Sequence, residues 1–175
     1  HESLWLVVFT QNMLLGYVLY RFMHTFFKGI PNYLTLISVF VIMVAFTGIS
    51  WYSSQIMTDI FTGIAALIAL ILLFSQRIRP AELIWLAILF LFAIQTHKSH
   101  YLIFSAFIAA TGILGWISGY FRQKLFSLKH YLILLSLVVF NWFFTPLINY
   151  AVEGQWAMQS KSHIFITGRL IETGM

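Results

Sequence analysis

The sequence contains no cysteine and very few charged residues. Of its 175 residues only 9% are charged and 61% are hydrophobic, whereas a typical soluble domain is about 25% charged. The lack of cysteine excludes disulfide bonds, thiolate metal sites and cysteine nucleophiles. The lack of charge excludes a water-soluble fold, because a globule of this size cannot hide so much apolar surface from water. We therefore predict that lipid surrounds most of the side chains.

Long apolar stretches occupy most of the chain, and most are close to the length of about 20 residues that a helix needs to cross a bilayer. The predicted spans cover residues 4–22, 33–50, 56–74, 81–95, 101–121 and 131–150. Their apolar residues are continuous and do not alternate with polar ones, which argues against the strands of a membrane barrel. The sequence therefore predicts an all-α polytopic transmembrane helix bundle of about six spans over residues 1–150. Residues 151–175 are predicted to form an amphipathic periplasmic-side tail or the start of a further segment.

The basic residues collect in alternate gaps between the predicted spans. The gaps after the first, third and fifth spans hold seven lysines and arginines, and the other side holds three. This asymmetry follows the positive-inside rule, so we predict that both ends of the chain lie on the outer side of a bacterial inner membrane. We attribute the net charge of +5 to this topology and to anionic lipid, and not to a nucleic-acid partner.

A few polar and small residues fall inside the predicted spans. Gln11, Asn12 and Asn141 lie near the middle of theirs, where we expect hydrogen bonds between helices, typically worth about 0.6 kcal/mol each. The alternative is a polar path or a contact with a lipid headgroup. Gly115 and Gly119 have the spacing that lets two helix backbones approach closely, and we expect them to pack within the bundle.

The densest group of titratable residues follows the fourth span, where His97, Lys98 and His100 lie within four positions. The predicted topology places Asp59 on the same outer side. Cations of this kind bind the phosphate of an anionic substrate such as a phosphorylated lipid, while an acid or a histidine moves a proton. The candidate catalytic residues are Asp59, His97 and His100, and the candidate substrate-binding residues are Lys98, Lys161, His163 and Arg169. The alternative is that these residues only anchor the helix ends in the headgroup layer.

The sequence predicts no cofactor, although it leaves a divalent metal open. His97 and His100 are three residues apart and share a face if their segment is helical. Haem is excluded, because a transmembrane haem needs histidines at membrane depth and His24 and His130 lie near the inner ends of their spans. The sequence also contains no P-loop, no dinucleotide fingerprint and no HExxH motif.

Four segments carry a family resemblance: SLWLVV at 3–8, DIFTG at 59–63, HKSH at 97–100 and FITGRLIE at 165–172. They resemble segments of polytopic bacterial inner-membrane proteins whose layout is similar to that of GT-C glycosyltransferases. The resemblance implies catalysis at the outer face on a polyprenyl-phosphate-linked sugar donor. The acid that GT-C enzymes carry in their first outer loop is not in this sequence, which we interpret as an internal piece of a longer protein. From this resemblance, only Asp59 and the residues of the segment 97–100 are taken as candidate site residues.

Three functions remain open from the sequence. The first is an integral membrane protein that transfers a sugar or related group from a lipid-linked donor at the periplasmic face. The second is a non-catalytic structural or accessory subunit of a larger respiratory or secretory membrane complex, with its aromatic residues against lipid and partner helices. The third is a transporter, which requires a polar site near the midplane of the bilayer.

Overall fold

A computed structural model describes residues 5–27, 33–48, 59–75, 78–97, 99–118 and 127–158. All regular structure in these ranges is helical, which confirms the all-α prediction for the described part of the chain. The helices are α1 (Trp5–Phe26), α2 (Tyr33–Phe46), α3 (Ile60–Phe74), α4 (Pro80–Gln95), α5 (Ser99–Ile117) and α6 (Leu128–Glu153). Each of them coincides with one of the predicted spans.

Three of these helices, α1, α5 and α6, are long and apolar enough to cross a membrane. The other three are equally apolar but shorter, with 14 residues in α2, 15 in α3 and 16 in α4. At 1.5 Å per residue, α3 is about 22 Å long, which is less than the ~30 Å thickness of a bilayer core. The described structure is thus the structure expected of a membrane protein, with three helices of full spanning length.

Local sequence signals determine several of the helix ends. Pro80 is the first residue of α4, where its missing N–H leaves no hydrogen bond unmade. Asp59 takes the N-cap position of α3, although its side chain makes no capping hydrogen bond. Gly154 ends α6 with a φ of 70°, and its N–H donates to the carbonyl of Tyr150 at 2.9 Å. A glycine in this left-handed conformation is a common helix terminator, and α6 accordingly extends three residues past the predicted end at Tyr150.

Helix α3 lies at the centre of the bundle and packs against α1, α4 and α6. Its buried residues include Ile64, Ile68 and Leu72, all of which are fully inaccessible to solvent. Leu15 of α1 and Phe90 of α4 belong to the same core. Since lipid is as apolar as these side chains, packing within a bilayer depends mainly on close van der Waals contact and not on exclusion of water.

Helix α2 lies at the edge of the described bundle. None of its described side chains is buried, and Phe40 and Met43 are the residues through which it packs against the core. Most of its apolar surface is exposed, as shown by Val41 and Phe46. A face of this kind requires lipid or another protein as its environment.

The contacts between helices sort their ends into two groups. At one end, which we call the Arg21 end, Arg21 at the end of α1 forms an ion pair with Glu82 in the first turn of α4. At the same end, the Nδ1 of His130 at the start of α6 lies 3.1 Å from the carbonyl oxygen of Ser75 after α3. At the opposite end, the His100 end, the start of α5 contacts the start of α3. These contacts show that α3, α4, α5 and α6 run in alternating directions and that α1 runs in the same direction as α3.

The side chain of Tyr131 on α6 packs against Gly112 on α5. A Cβ placed on Gly112 would collide with the hydroxyl oxygen of Tyr131 and would lie 3.3 Å from its Cζ. The Tyr131 hydroxyl donates to the carbonyl of Ile108 at 3.1 Å. Gly115 is buried, whereas Gly119 lies outside the described residues. The glycine against which the Tyr131 side chain packs is therefore Gly112, one turn before the predicted pair.

Candidate functional site

Asp59 lies at the mouth of an apolar groove at the His100 end. The groove has a volume of about 600 Å³ and is lined by apolar residues of α1, α2 and α3, and among the described residues Asp59 is its one charged lining residue. Leu15 and Leu19 form one wall, and Met43 reaches it from α2. The lining residues of α3 run from Asp59 to Leu70 along one face, a distance of about 16 Å at 1.5 Å per residue.

His100, near the start of α5, is buried inside the bundle at this end, with 1% of its surface exposed. Its Nδ1 lies 3.1 Å from the carbonyl oxygen of Ala93 on α4, and its Nε2 lies 2.5 Å from the hydroxyl oxygen of Thr62 on α3. Because a carbonyl can only accept a hydrogen bond, Nδ1 carries the proton. In the neutral ring Nε2 then accepts the hydrogen bond that the Thr62 hydroxyl donates. His100 therefore joins three helices and holds Thr62, one turn after Asp59, in a fixed orientation.

His97 lies beside this pair and is exposed. Its Nδ1 accepts a hydrogen bond from the backbone N–H of Ser99 at 3.3 Å, and the Ser99 hydroxyl lies 2.7 Å from the same nitrogen. The centroids of the His97 and His100 rings are 5.5 Å apart. One exposed and one buried imidazole thus stand side by side, and the exposed ring is the one that a ligand can reach.

Three of the seven predicted site residues lie within the described ranges, and all three are at the His100 end. Asp59 and His97 are exposed there, whereas both ring nitrogens of His100 are engaged by protein partners. His100 accordingly positions Thr62 and does not itself present a nitrogen to a ligand. The predicted substrate-binding residues Lys98, Lys161, His163 and Arg169 lie outside the described residues.

A polar network next to His100 was not anticipated from the sequence. The side-chain amide of Gln95 donates to Asn141 of α6, and the Tyr101 hydroxyl donates to Gln95 Oε1 at 3.0 Å. The Tyr101 hydroxyl also lies 2.8 Å from the Thr145 hydroxyl. The network joins α4, α5 and α6, which agrees with the expected interhelical role of Asn141. The sequence feature that could have indicated this network is the pair Gln95 and Tyr101, which lie at the end of α4 and near the start of α5.

The other two polar residues singled out in the spans lie on α1. Gln11 is buried and lines a second apolar pocket of about 280 Å³ together with Phe61 and Phe92. The side-chain amide of Asn12 donates to the carbonyl of Val8 in its own helix at 2.8 Å. The amide of Asn12 therefore satisfies one of its donors within α1, whereas Asn141 bonds across helices.

The described ranges contain no group of three histidine, aspartate or glutamate side chains arranged to hold a metal ion. His97 and His100 therefore lack a third protein ligand among those residues. The neutral ring of His100 also has both nitrogens occupied. Within the part of the chain that the structure describes, the groups beside the groove are the Asp59 carboxylate, the exposed imidazole of His97 and the Thr62 hydroxyl, which the buried imidazole of His100 holds.

Comparison with known proteins finds no matching family model, no matching curated protein and no matching solved structure.

Proposed function

We propose that this chain is a multi-pass protein of the bacterial inner membrane in which all six helices cross the bilayer and the His100 end faces the periplasm. The alternating helix directions and the basic residues near the Arg21 end support this orientation. The short helices α3 and α4 fit the same scheme, because a bilayer thins locally and polar residues at helix ends reach outward to the interface.

Labelling of single cysteines tests this topology, because the sequence has no cysteine of its own. Lys98→Cys and Lys124→Cys are introduced separately into the full-length protein in intact cells. We expect a maleimide that cannot cross the inner membrane to label Lys98→Cys and to label Lys124→Cys only after the membrane is opened. The reverse pattern would place the His100 end in the cytoplasm and remove the proposed site.

We further propose that the protein transfers a sugar or related group from a lipid-linked donor at the His100 end, as the GT-C-like layout implies. The observation that carries the proposal is Asp59 at the mouth of an apolar groove, with Thr62 and His97 beside it. The groove suits the apolar chain of the donor, and the Asp59 carboxylate suits a base that accepts a proton from the attacking hydroxyl. His97, Lys98, Lys161, His163 and Arg169 are then the residues that hold phosphate.

Replacement of Asp59 with asparagine tests this activity. The full-length protein in lipid vesicles is supplied with a panel of polyprenyl-phosphate sugars, and transfer of labelled sugar is measured. We expect Asp59→Asn to lower the transfer rate by about 100-fold or more, the usual loss when a general base is removed. Glu153→Gln, at the same end of the bundle, is the matched control and should retain activity. Full activity of Asp59→Asn would exclude the carboxylate from catalysis, and absence of transfer by the unmodified protein would exclude the reaction.

One observation favours a second function, that of a non-catalytic subunit of a larger membrane complex. The exposed apolar surface of α2, together with its slight attachment to the core through Phe40 and Met43, suits a helix that packs against a partner protein. Purification in a mild detergent distinguishes the two functions. Partners that stay with the protein in fixed stoichiometry, combined with no transfer activity, would favour the subunit.

A further inference from the structure

We infer that the groove beneath Asp59 holds a hydrocarbon chain of a bilayer lipid whose headgroup carries an ammonium group, and that this ammonium group pairs with the Asp59 carboxylate. The inference rests on the proposed function in that it takes the His100 end to lie at the boundary between lipid and water. It goes further by specifying the charge of the headgroup, which the transfer proposal leaves open.

The walls of the groove fit a hydrocarbon chain. The residues behind Asp59 are apolar, and the volume of about 600 Å³ lies within the usual range of ligand pockets, about 300–1,000 Å³. Gly63 and Ala66 keep the α3 side open, because both are small and exposed. A Cβ placed on Gly63 would meet no atom within 4 Å. The groove is therefore a channel along α3 and not a gap that neighbouring side chains already fill.

The charge at the mouth of the groove indicates the headgroup. Asp59 is exposed, its side chain does not cap α3, and it forms no ion pair with any residue in the described ranges. Among the residues that the structure describes, no lysine or arginine lines the groove. A carboxylate at the edge of an apolar medium attracts a cation more strongly than one in open water, because the effective dielectric constant is lower. It disfavours an anionic group in direct contact with it for the same reason.

An ammonium-bearing phospholipid satisfies both parts of the site. Its chain enters the groove, its ammonium group reaches Asp59, and its phosphodiester lies outside the groove toward the water. The phosphate-binding role proposed for the basic residues of this end is thus compatible with an acid at the groove mouth.

Lipid binding to the purified full-length protein tests the inference. Native mass spectrometry compares phosphatidylethanolamine with phosphatidylglycerol of identical acyl chains, so that only the headgroup charge differs. We expect the ethanolamine lipid to bind about tenfold more tightly, and a tenfold ratio corresponds to about 1.4 kcal/mol. Asp59→Asn should abolish this preference and leave the binding of phosphatidylglycerol unchanged or slightly stronger. Equal affinities for the two lipids in the unmodified protein would overturn the inferred headgroup.

Filling the groove with larger side chains tests whether the lipid hydrocarbon chain lies in it. Gly63→Leu and, separately, Ala66→Leu should weaken the binding of both lipids by about tenfold, because the added side chain occupies the channel. Gly16→Leu is the matched control, since a Cβ there also meets no atom within 4 Å but Gly16 does not line the groove. Unchanged lipid binding in both Gly63→Leu and Ala66→Leu would show that the lipid hydrocarbon chain lies outside the groove.

These measurements need no transfer activity and therefore distinguish the inference from the proposed function. If Asp59→Asn loses the lipid preference but transfers sugar normally, the lipid site stands and the catalytic role of Asp59 fails. If Asp59→Asn loses transfer while the unmodified protein binds both lipids equally, the catalytic role stands and the ammonium pairing fails.

Discussion

Replacing Phe90 with alanine is expected to lower the free energy of unfolding by about 3–5 kcal/mol, the usual cost of emptying a buried phenylalanine site. Phe90 has no exposed surface and belongs to the core around α3. Its ring meets the ring of Phe104 edge to face, with centroids 5.2 Å apart. In a bilayer the part of this cost that comes from missing contacts across the cavity remains, whereas the part that comes from transfer out of water is smaller.

Unfolding of Phe90→Ala in mixed micelles with increasing fractions of a denaturing detergent measures this effect. The matched control is Phe143→Ala, because Phe143 is 65% exposed and its ring faces lipid in the proposed arrangement. We expect the control to change the unfolding free energy by less than about 1 kcal/mol, as surface substitutions usually do. Equal losses for the two variants would contradict the burial of Phe90 in the core around α3.

Replacing Gly112 with alanine is expected to destabilise the bundle by about 1–3 kcal/mol, the usual cost of overpacking a closely packed contact. The new methyl group would collide with the Tyr131 hydroxyl, which the hydrogen bond to Ile108 holds in place. Relief requires either a shift of α6 away from α5 or the loss of that hydrogen bond. Glycine to alanine in an open helix position normally has the opposite sign and stabilises by about 0.5–1 kcal/mol.

The double variant Gly112→Ala with Tyr131→Phe separates this collision from a general effect of the substitution. Removing the hydroxyl removes the atom that lies nearest to the new methyl group, so we expect the double variant to recover part of the lost stability. Gly16→Ala is the control for helix propensity, because its Cβ would meet no atom within 4 Å. Additive losses in the double variant would show that α5 and α6 do not approach at Gly112.

Much of the helical framework follows from local features of the chain. A continuous apolar segment that lies in lipid must satisfy its backbone hydrogen bonds internally, and a helix does so without a partner. The six apolar runs therefore predict the six helices, whatever packs against them. Pro80 marks the start of α4 for a similarly local reason. Gly154 is an equally local signal for the end of α6, but the apolar run alone predicts that the helix ends at Tyr150.

The candidate site was predicted in part. The clustering of His97 and His100 and the position of Asp59 before an apolar run placed all three at one end of the bundle, since alternate spans reverse direction. The partners of His100 could not be inferred in this way. Thr62 is 38 residues away and Ala93 is on another helix, and contact between them depends on how α3, α4 and α5 are arranged around one another.

For the described part of the chain, the pattern of residues was thus sufficient to predict six helical segments and their approximate ends, because each depends on the chemistry of neighbouring residues. The central position of α3, the close approach at Gly112, the bond between Gln95 and Asn141 and the groove below Asp59 depend on packing. In a helix that is apolar on every side, no stripe of polar residues distinguishes the face that meets lipid from the face that meets another helix. Close van der Waals fit and a few polar bonds between helices make that selection, and both arise only when the helices come together.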